Sequence, residues 1–213
     1  ASDLDPSVPR RLGLGLAVSV VALSWAAWWV VPLPAAVATL VTAGLLGAVA
    51  YSLPPVAAMR RGWGELLNAV LGGLLLPLTG VAVAAGVVSR LDVLAFVPFT
   101  LVVLASVMAT AWVDREPDAA AGKRTMQVRL RPVVLRRIHA AATIGFMATA
   151  ALAAWLDASP FVLSWFLVLP ALVVGLATYT RRRTPLPNVV AMVGLATILV
   201  GANGLGLATG WSA

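Results

Sequence analysis

The chain has 213 residues, of which 61% are hydrophobic and only 11% charged, and its mean hydropathy is +0.98. Water-soluble domains carry about 25% charged residues, so the composition excludes a water-exposed globular surface and implies an integral membrane protein. The net charge of +7, zero cysteines and single histidine, His139, exclude disulfides and thiolate metal sites and argue against a His-based zinc site.

The N-terminal ASDLDPSVPRR is short and polar, with Asp3 and Asp5 where a signal peptide would carry basic residues. From Leu12 to Met59 there is no charge, and the PLP at 32–34 divides this run into expected helices 12–31 and 35–52, each near the ~20 residues that cross a bilayer. The segment YSLPPVAAMRRGWGE breaks the pattern at Pro54, Pro55 and Gly62. Further spans are expected at 66–89, closed by a small polar turn SRLD, and at 93–113, 138–156, 161–180 and 189–211. No stretch alternates with a period of two, so a β-barrel is not supported. The expectation is an all-α bundle of seven transmembrane helices forming a single membrane domain over residues 1–213.

Seven spans sort the breaks onto two sides. One side collects 14 of the 15 basic residues and leaves only Arg90 opposite. The charge thus records orientation rather than nucleic-acid binding, and the positive-inside rule puts the basic loops in the cytoplasm, the plasma membrane being the expected location. Trp28, Trp29, Trp112 and Trp211 read as interfacial anchors, and His139, Thr110 and Asn203 as interhelical hydrogen-bonders.

The longest hydrophilic stretch, WVDREPDAAAGKRTMQVRLRP at 112–132, holds three of the eight acidic residues. Asp114 and Asp118 are one helical turn apart, on one face where a span leaves the membrane. Two such carboxylates can anchor Mg²⁺, which keeps several waters and completes its shell with substrate phosphate oxygens. Lys123 and Arg124 can hold the same diphosphate, Lys as a point charge and Arg as a planar fork. Glu116 points elsewhere on a helix. The alternative is a solvated loop whose aspartates cap a helix or pair with Arg115 and Lys123. A second constellation comprises Tyr51, Ser52, Arg60, Arg61, Glu65 and Asn68; here Asn68 faces either a pocket or a neighbouring helix, and Glu65 either complements the helix dipole or pairs with Arg61.

YSLPP…RRGWGELLNA and DREPDAAAGKRTMQVRL resemble, in order, the YSxPP…RG-x-GE element and the second aspartate-rich motif of the UbiA superfamily of intramembrane prenyltransferases. That resemblance implies nine helices around a central cavity and Mg²⁺-dependent transfer of a prenyl group from a polyprenyl diphosphate to a lipophilic, often aromatic, acceptor. It implies metal–diphosphate binding at Asp114 and Asp118, catalytic contacts from Lys123 and Arg124, and diphosphate-side roles for Tyr51, Arg61 and, with Met59 standing where relatives often have Lys, for Arg60; Asn68 is a candidate beside them from its position alone, with the interhelical role still open. The first aspartate-rich motif has only Asp3, with Asp5, in its expected place. The resemblance therefore implies that two helices are missing ahead of residue 1 and that the 213-residue chain is an incomplete enzyme. The readings from other classes are a seven-helix transporter or channel, which needs polar groups through the midplane, and a non-catalytic membrane scaffold.

Overall fold

A computed structural model of the protein describes residues 7–31, 33–156 and 160–209. Among the described residues the chain is all-helical, without a strand. The helices are α1 (Ser7–Val30), α2 (Ala35–Ser52), α3 (Ala58–Arg61), α4 (Gly64–Val70), α5 (Leu76–Ala85), α6 (Arg90–Ala95), α7 (Val97–Val113), α8 (Arg115–Ala120), α9 (Met126–Arg129), α10 (Pro132–Leu156), α11 (Pro160–Ser164), α12 (Leu169–Thr178) and α13 (Leu186–Thr209). A π-helical turn, Leu71–Leu75, joins α4 to α5, and a 3₁₀ turn, Trp165–Val168, joins α11 to α12.

Five helical stretches are long and apolar enough to cross a membrane: Arg11–Val30, Ala35–Ser52, Gly64–Ala85, Arg90–Val113 and Pro132–Leu156, with shorter apolar helices at Val162–Thr178 and Leu186–Gly201. Their ends follow local chemistry. Proline falls in the first turn of α7 (Pro98), α10 (Pro132), α12 (Pro170) and α13 (Pro187), where its missing N–H was never to be bonded. Gly62 and Gly86 end α3 and α5 at φ of 82° and 80°, a backbone region open to glycine and strained for other residues. The SRLD segment, read from sequence as a plain turn, is a capping box: Ser89 Oγ accepts from the Asp92 amide at 3.1 Å, while Asp92 Oδ2 accepts from the Ser89 amide at 2.7 Å.

α7 is the central element. It packs against α10, α13, α4 and the π turn, and buries Val102, Val103, Ala105, Ser106, Met108 and Ala109. One apolar cluster joins Val102 to Phe146 and Ala150 of α10, Leu172 of α12, and Ala191 and Leu195 of α13. A second, nearer the hydrophilic loops, joins Met108, Ala109, Leu135 and Tyr179. α1 touches α2 but buries none of its apolar window, as expected of a surface that faces lipid.

Because lipid tails are as apolar as leucine, close contact between small residues drives helix association here. A Cβ added to Gly73 would lie 2.6 Å from the Thr100 Cα on α7, whereas one added to Gly72 would meet nothing within 4 Å. One polar bond also crosses the interior: His139 Nε2 lies 3.0 Å from Asn188 Oδ1, linking α10 to α13, and the Tyr179 ring stacks on His139 with centroids 4.4 Å apart. The interhelical role expected of His139 is thus present. Thr110 instead donates to the Ser106 carbonyl of its own helix at 2.9 Å, and the Asn203 side chain and Trp211 lie outside the described residues. Gly73→Ala should destabilise the bundle by about 1–3 kcal/mol, the usual range for overpacking, and Gly72→Ala should leave it near neutral. Thermal unfolding in detergent, followed by helical circular dichroism, distinguishes the two.

Candidate active site

The two hydrophilic motifs meet across α7. A cavity of about 330 Å³ opens between them, lined by Tyr51 at the end of α2, Met59, Gly64, Glu65 and Asn68 of α3 and α4, and Ser106, Val107, Thr110, Ala111 and Asp114 along α7; Asp118, Lys123, Thr125, Val189 and Met192 complete its wall. Four of these residues (Ser106, Thr110, Asp114 and Asp118) stand at successive steps of four, so one edge of α7 and α8 forms a polar stripe into the cavity.

Asp114 and Asp118 keep helical register through the junction, since the Asp118 amide donates to the Asp114 carbonyl at 2.8 Å. Asp114 occupies the N-cap position of α8, yet its side chain makes no capping bond and is exposed on the cavity wall. Beyond α8, Gly122 turns at φ 70°, and the Lys123 amide donates to the Asp118 carbonyl at 2.9 Å. The reversal lays Lys123 Nζ 2.7 Å from Asp118 Oδ1, in a pair whose side chains are 34% and 13% exposed. Glu116 points away, as expected, and pairs with Arg183 on the exposed surface.

Residues 123–125 form a non-helical link between the turn at Gly122 and α9. Lys123 and Thr125 line the cavity; Arg124 does not, and is exposed. Its amide donates instead to the Arg60 carbonyl at 3.2 Å. Arg60 and Arg61 are likewise absent from the cavity wall. Of the residues singled out in the sequence, the cavity therefore gathers Asp114, Asp118, Lys123, Tyr51 and Asn68, and leaves Arg124, Arg60 and Arg61 outside. Asp3 lies outside the described residues.

Glu65 has a different partner from the Arg61 considered above. It is 4% exposed, and its Oε1 accepts from the Met126 amide at 3.1 Å, across 61 residues of sequence. The bond fixes α9 against α4. Next to it, the guanidinium of Arg129 donates to the Arg61 carbonyl, and Gln127 Nε2, fully buried, donates to the Met108 carbonyl at 3.1 Å. Gly64 lets α4 start close against α3 and α2, because a Cβ there would fall 2.8 Å from the Met59 Cα and 3.4 Å from the Tyr51 ring. Two buried oxygens on the cavity wall, Glu65 Oε2 and Thr125 Oγ1, have no hydrogen-bond partner among the described residues. Sequence reading missed Thr125, Ser106 and Gln127; the four-residue spacing from Ser106 to Asp118 was the available signal for Ser106.

A family model for the UbiA prenyltransferase family matches residues 6–179. The chain belongs to that family. Neither the curated proteins nor the solved structures return a match. Membership and the apolar helices together make the protein an integral membrane protein of prenyltransferase type, from a family that works on prenyl diphosphates and lipophilic acceptors and uses Mg²⁺ through aspartate-rich motifs.

Removing the Glu65 carboxyl leaves the Met126 amide without its acceptor, and a buried donor left unsatisfied costs about 1–3 kcal/mol. Glu65→Ala should therefore loosen the 121–129 segment and speed limited tryptic cleavage after Lys123 and Arg124 roughly tenfold or more. Mass spectrometry of the nicked protein in nanodiscs reads the rate.

Proposed function

We propose that the cavity binds the diphosphate of a polyprenyl diphosphate and that the protein transfers the prenyl group to a lipophilic acceptor held among the helices. The supporting observation is that carboxylates, a lysine, a tyrosine and an asparagine from two motifs far apart in sequence line one cavity. The donor set suits Mg²⁺. Asp114 and Asp118 present oxygen ligands one turn apart, and among the described residues no group of three or more His, Asp or Glu forms a complete protein cage. A magnesium ion there would be held by these two carboxylates together with substrate phosphates. The bound ion would neutralise charge developing on the departing diphosphate.

Lys123 supplies the cation nearest the carboxylates. In the proposed complex it exchanges Asp118 for a phosphate oxygen, and Tyr51 and Asn68 orient the diphosphate by hydrogen bonds. The carbon–oxygen bond of the prenyl diphosphate breaks with its electron pair leaving on oxygen. The acceptor attacks the allylic carbon and then loses a proton. Apolar side chains such as Val107, Val189 and Met192 on the cavity wall keep water from the allylic cation. The reading also places all seven apolar helices across the bilayer as one membrane domain, with the basic loops and the cavity on the cytoplasmic side of the plasma membrane.

Binding of farnesyl thiodiphosphate to the purified protein in nanodiscs, by calorimetry with and without Mg²⁺, tests the site without requiring turnover. Asp114→Ala and Asp118→Ala should each weaken the Mg²⁺-dependent binding at least tenfold, whereas Glu116→Ala, on the outer side of the same loop, should not change it. Equal binding by all four proteins would sink the reading. Release of diphosphate from a labelled prenyl diphosphate in membranes then follows the transfer itself.

A further inference from the structure

Arg61, one of the arginines that the cavity leaves out, lines a second depression. A groove of about 540 Å³ runs along the other side of α4, lined by Pro55, Val56, Arg61, Trp63, Leu66 and Val70 among others, and it shares no lining residue with the cavity. Arg61 is the one charged group in its lining. Trp63 is 62% exposed, Val56 47% and Leu66 43%, so the groove is an open apolar surface. From Trp63 to Val70 it follows α4 for about 10 Å at 1.5 Å per residue, from the end of a membrane-spanning stretch inward.

Around Arg61 the backbone gathers further basic residues. The Arg124 amide bonds the Arg60 carbonyl, and the Arg129 guanidinium bonds the Arg61 carbonyl. A Cβ on Gly62 would lie 2.8 Å from Arg129 Nη1 and 3.2 Å from the Arg124 carbonyl oxygen, so this corner brings four arginine positions together. Among the described residues the ion pairs are Lys123–Asp118 and Arg183–Glu116, neither of which involves these arginines. Arg60, Arg61 and Arg124 are exposed.

We propose that this groove is a binding site for an anionic phospholipid of the surrounding membrane. The headgroup phosphate sits at Arg60 and Arg61, with Arg124 adding charge, and an acyl chain lies along Trp63, Leu66 and Val70. Charge complementarity selects the headgroup: guanidinium groups without carboxylate partners hold phosphate oxygens through paired N–H donors. The apolar groove starting beside Arg61 selects a phosphate that carries a hydrocarbon chain. The proposal is independent of the diphosphate cavity.

The test is lipid retention by the whole protein, extracted from nanodiscs of mixed phosphatidylcholine and phosphatidylglycerol and counted by native mass spectrometry. The wild type should retain phosphatidylglycerol in preference to phosphatidylcholine. Each basic residue near an anionic leaflet contributes on the order of one factor of five. Arg60→Gln with Arg61→Gln should therefore weaken retention roughly thirtyfold, and Leu66→Gln should weaken it severalfold. Arg181→Gln with Arg182→Gln, which removes two exposed arginines from another loop, should leave it unchanged, and inorganic phosphate should not displace the lipid. Equal loss from the Arg181 and Arg182 pair, equal retention of both lipids, or displacement by inorganic phosphate alone would overturn the proposal.

Discussion

The bond from the Met126 amide to Glu65 is the contact on which the functional half of the structure depends. A bilayer protein has little hydrophobic incentive to bring two hydrophilic segments together, so specific polar bonds must do it. The buried Glu65 carboxyl accepting the Met126 amide does this across 61 residues of sequence, and Arg124 to Arg60 and Arg129 to Arg61 reinforce it with backbone carbonyls as acceptors. With α9 held against α4, the reversal at Gly122 has one place to end, and Lys123 arrives over Asp118. The cavity is what this clamp encloses against α7.

The frame beneath the clamp is set by helix phase. Besides Gly64 at the start of α4, buried residues along the third apolar stretch fall at Glu65, Ala69, Gly73, Leu78 and Ala82, in steps of four, four, five and four. Steps of four on a pure α-helix advance the buried face steadily around the axis. The wider turn at Leu71–Leu75 accommodates the step of five, so the residues below it return to the same side. Such π segments recur near functional sites. Here the turn keeps Leu78 and Ala82 buried on the side already set by Glu65, Ala69 and Gly73, the last of which packs against Thr100.

Much of the helical pattern was legible because uncharged apolar runs and proline or glycine breaks act locally. The aspartates were legible for the same reason, as their four-residue spacing needs only one turn of helix to be read. Less legible were features decided by tertiary contact. Nothing near Glu65 in sequence marks Met126 as its partner, and His139 and Asn188 meet only because α10 and α13 pack together. The sequence suggested Glu65 with Arg61 because those residues are neighbours along the chain. The fold instead spends the Arg61 carbonyl on Arg129. The π turn had no legible cue beyond two adjacent glycines.

The separation of Lys123 from Arg124 follows from the same distinction between adjacency and direction. Between Gly122 and the start of α9 the two leave the helix, and of the pair only Lys123 reaches the cavity, while the Arg124 amide bonds the Arg60 carbonyl. α4 makes the matching division, with Glu65 and Asn68 on the cavity side and Trp63, Leu66 and Val70 on the groove side. Side-chain chemistry agrees with the sorting. A compact ammonium can pair with a carboxylate inside a small polar space, whereas guanidinium groups are less strongly hydrated and suit the boundary between headgroups and hydrocarbon. Basic residues that share a motif are thus divided by backbone geometry between two environments, and the lysine stays with the carboxylates because the turn before it points inward.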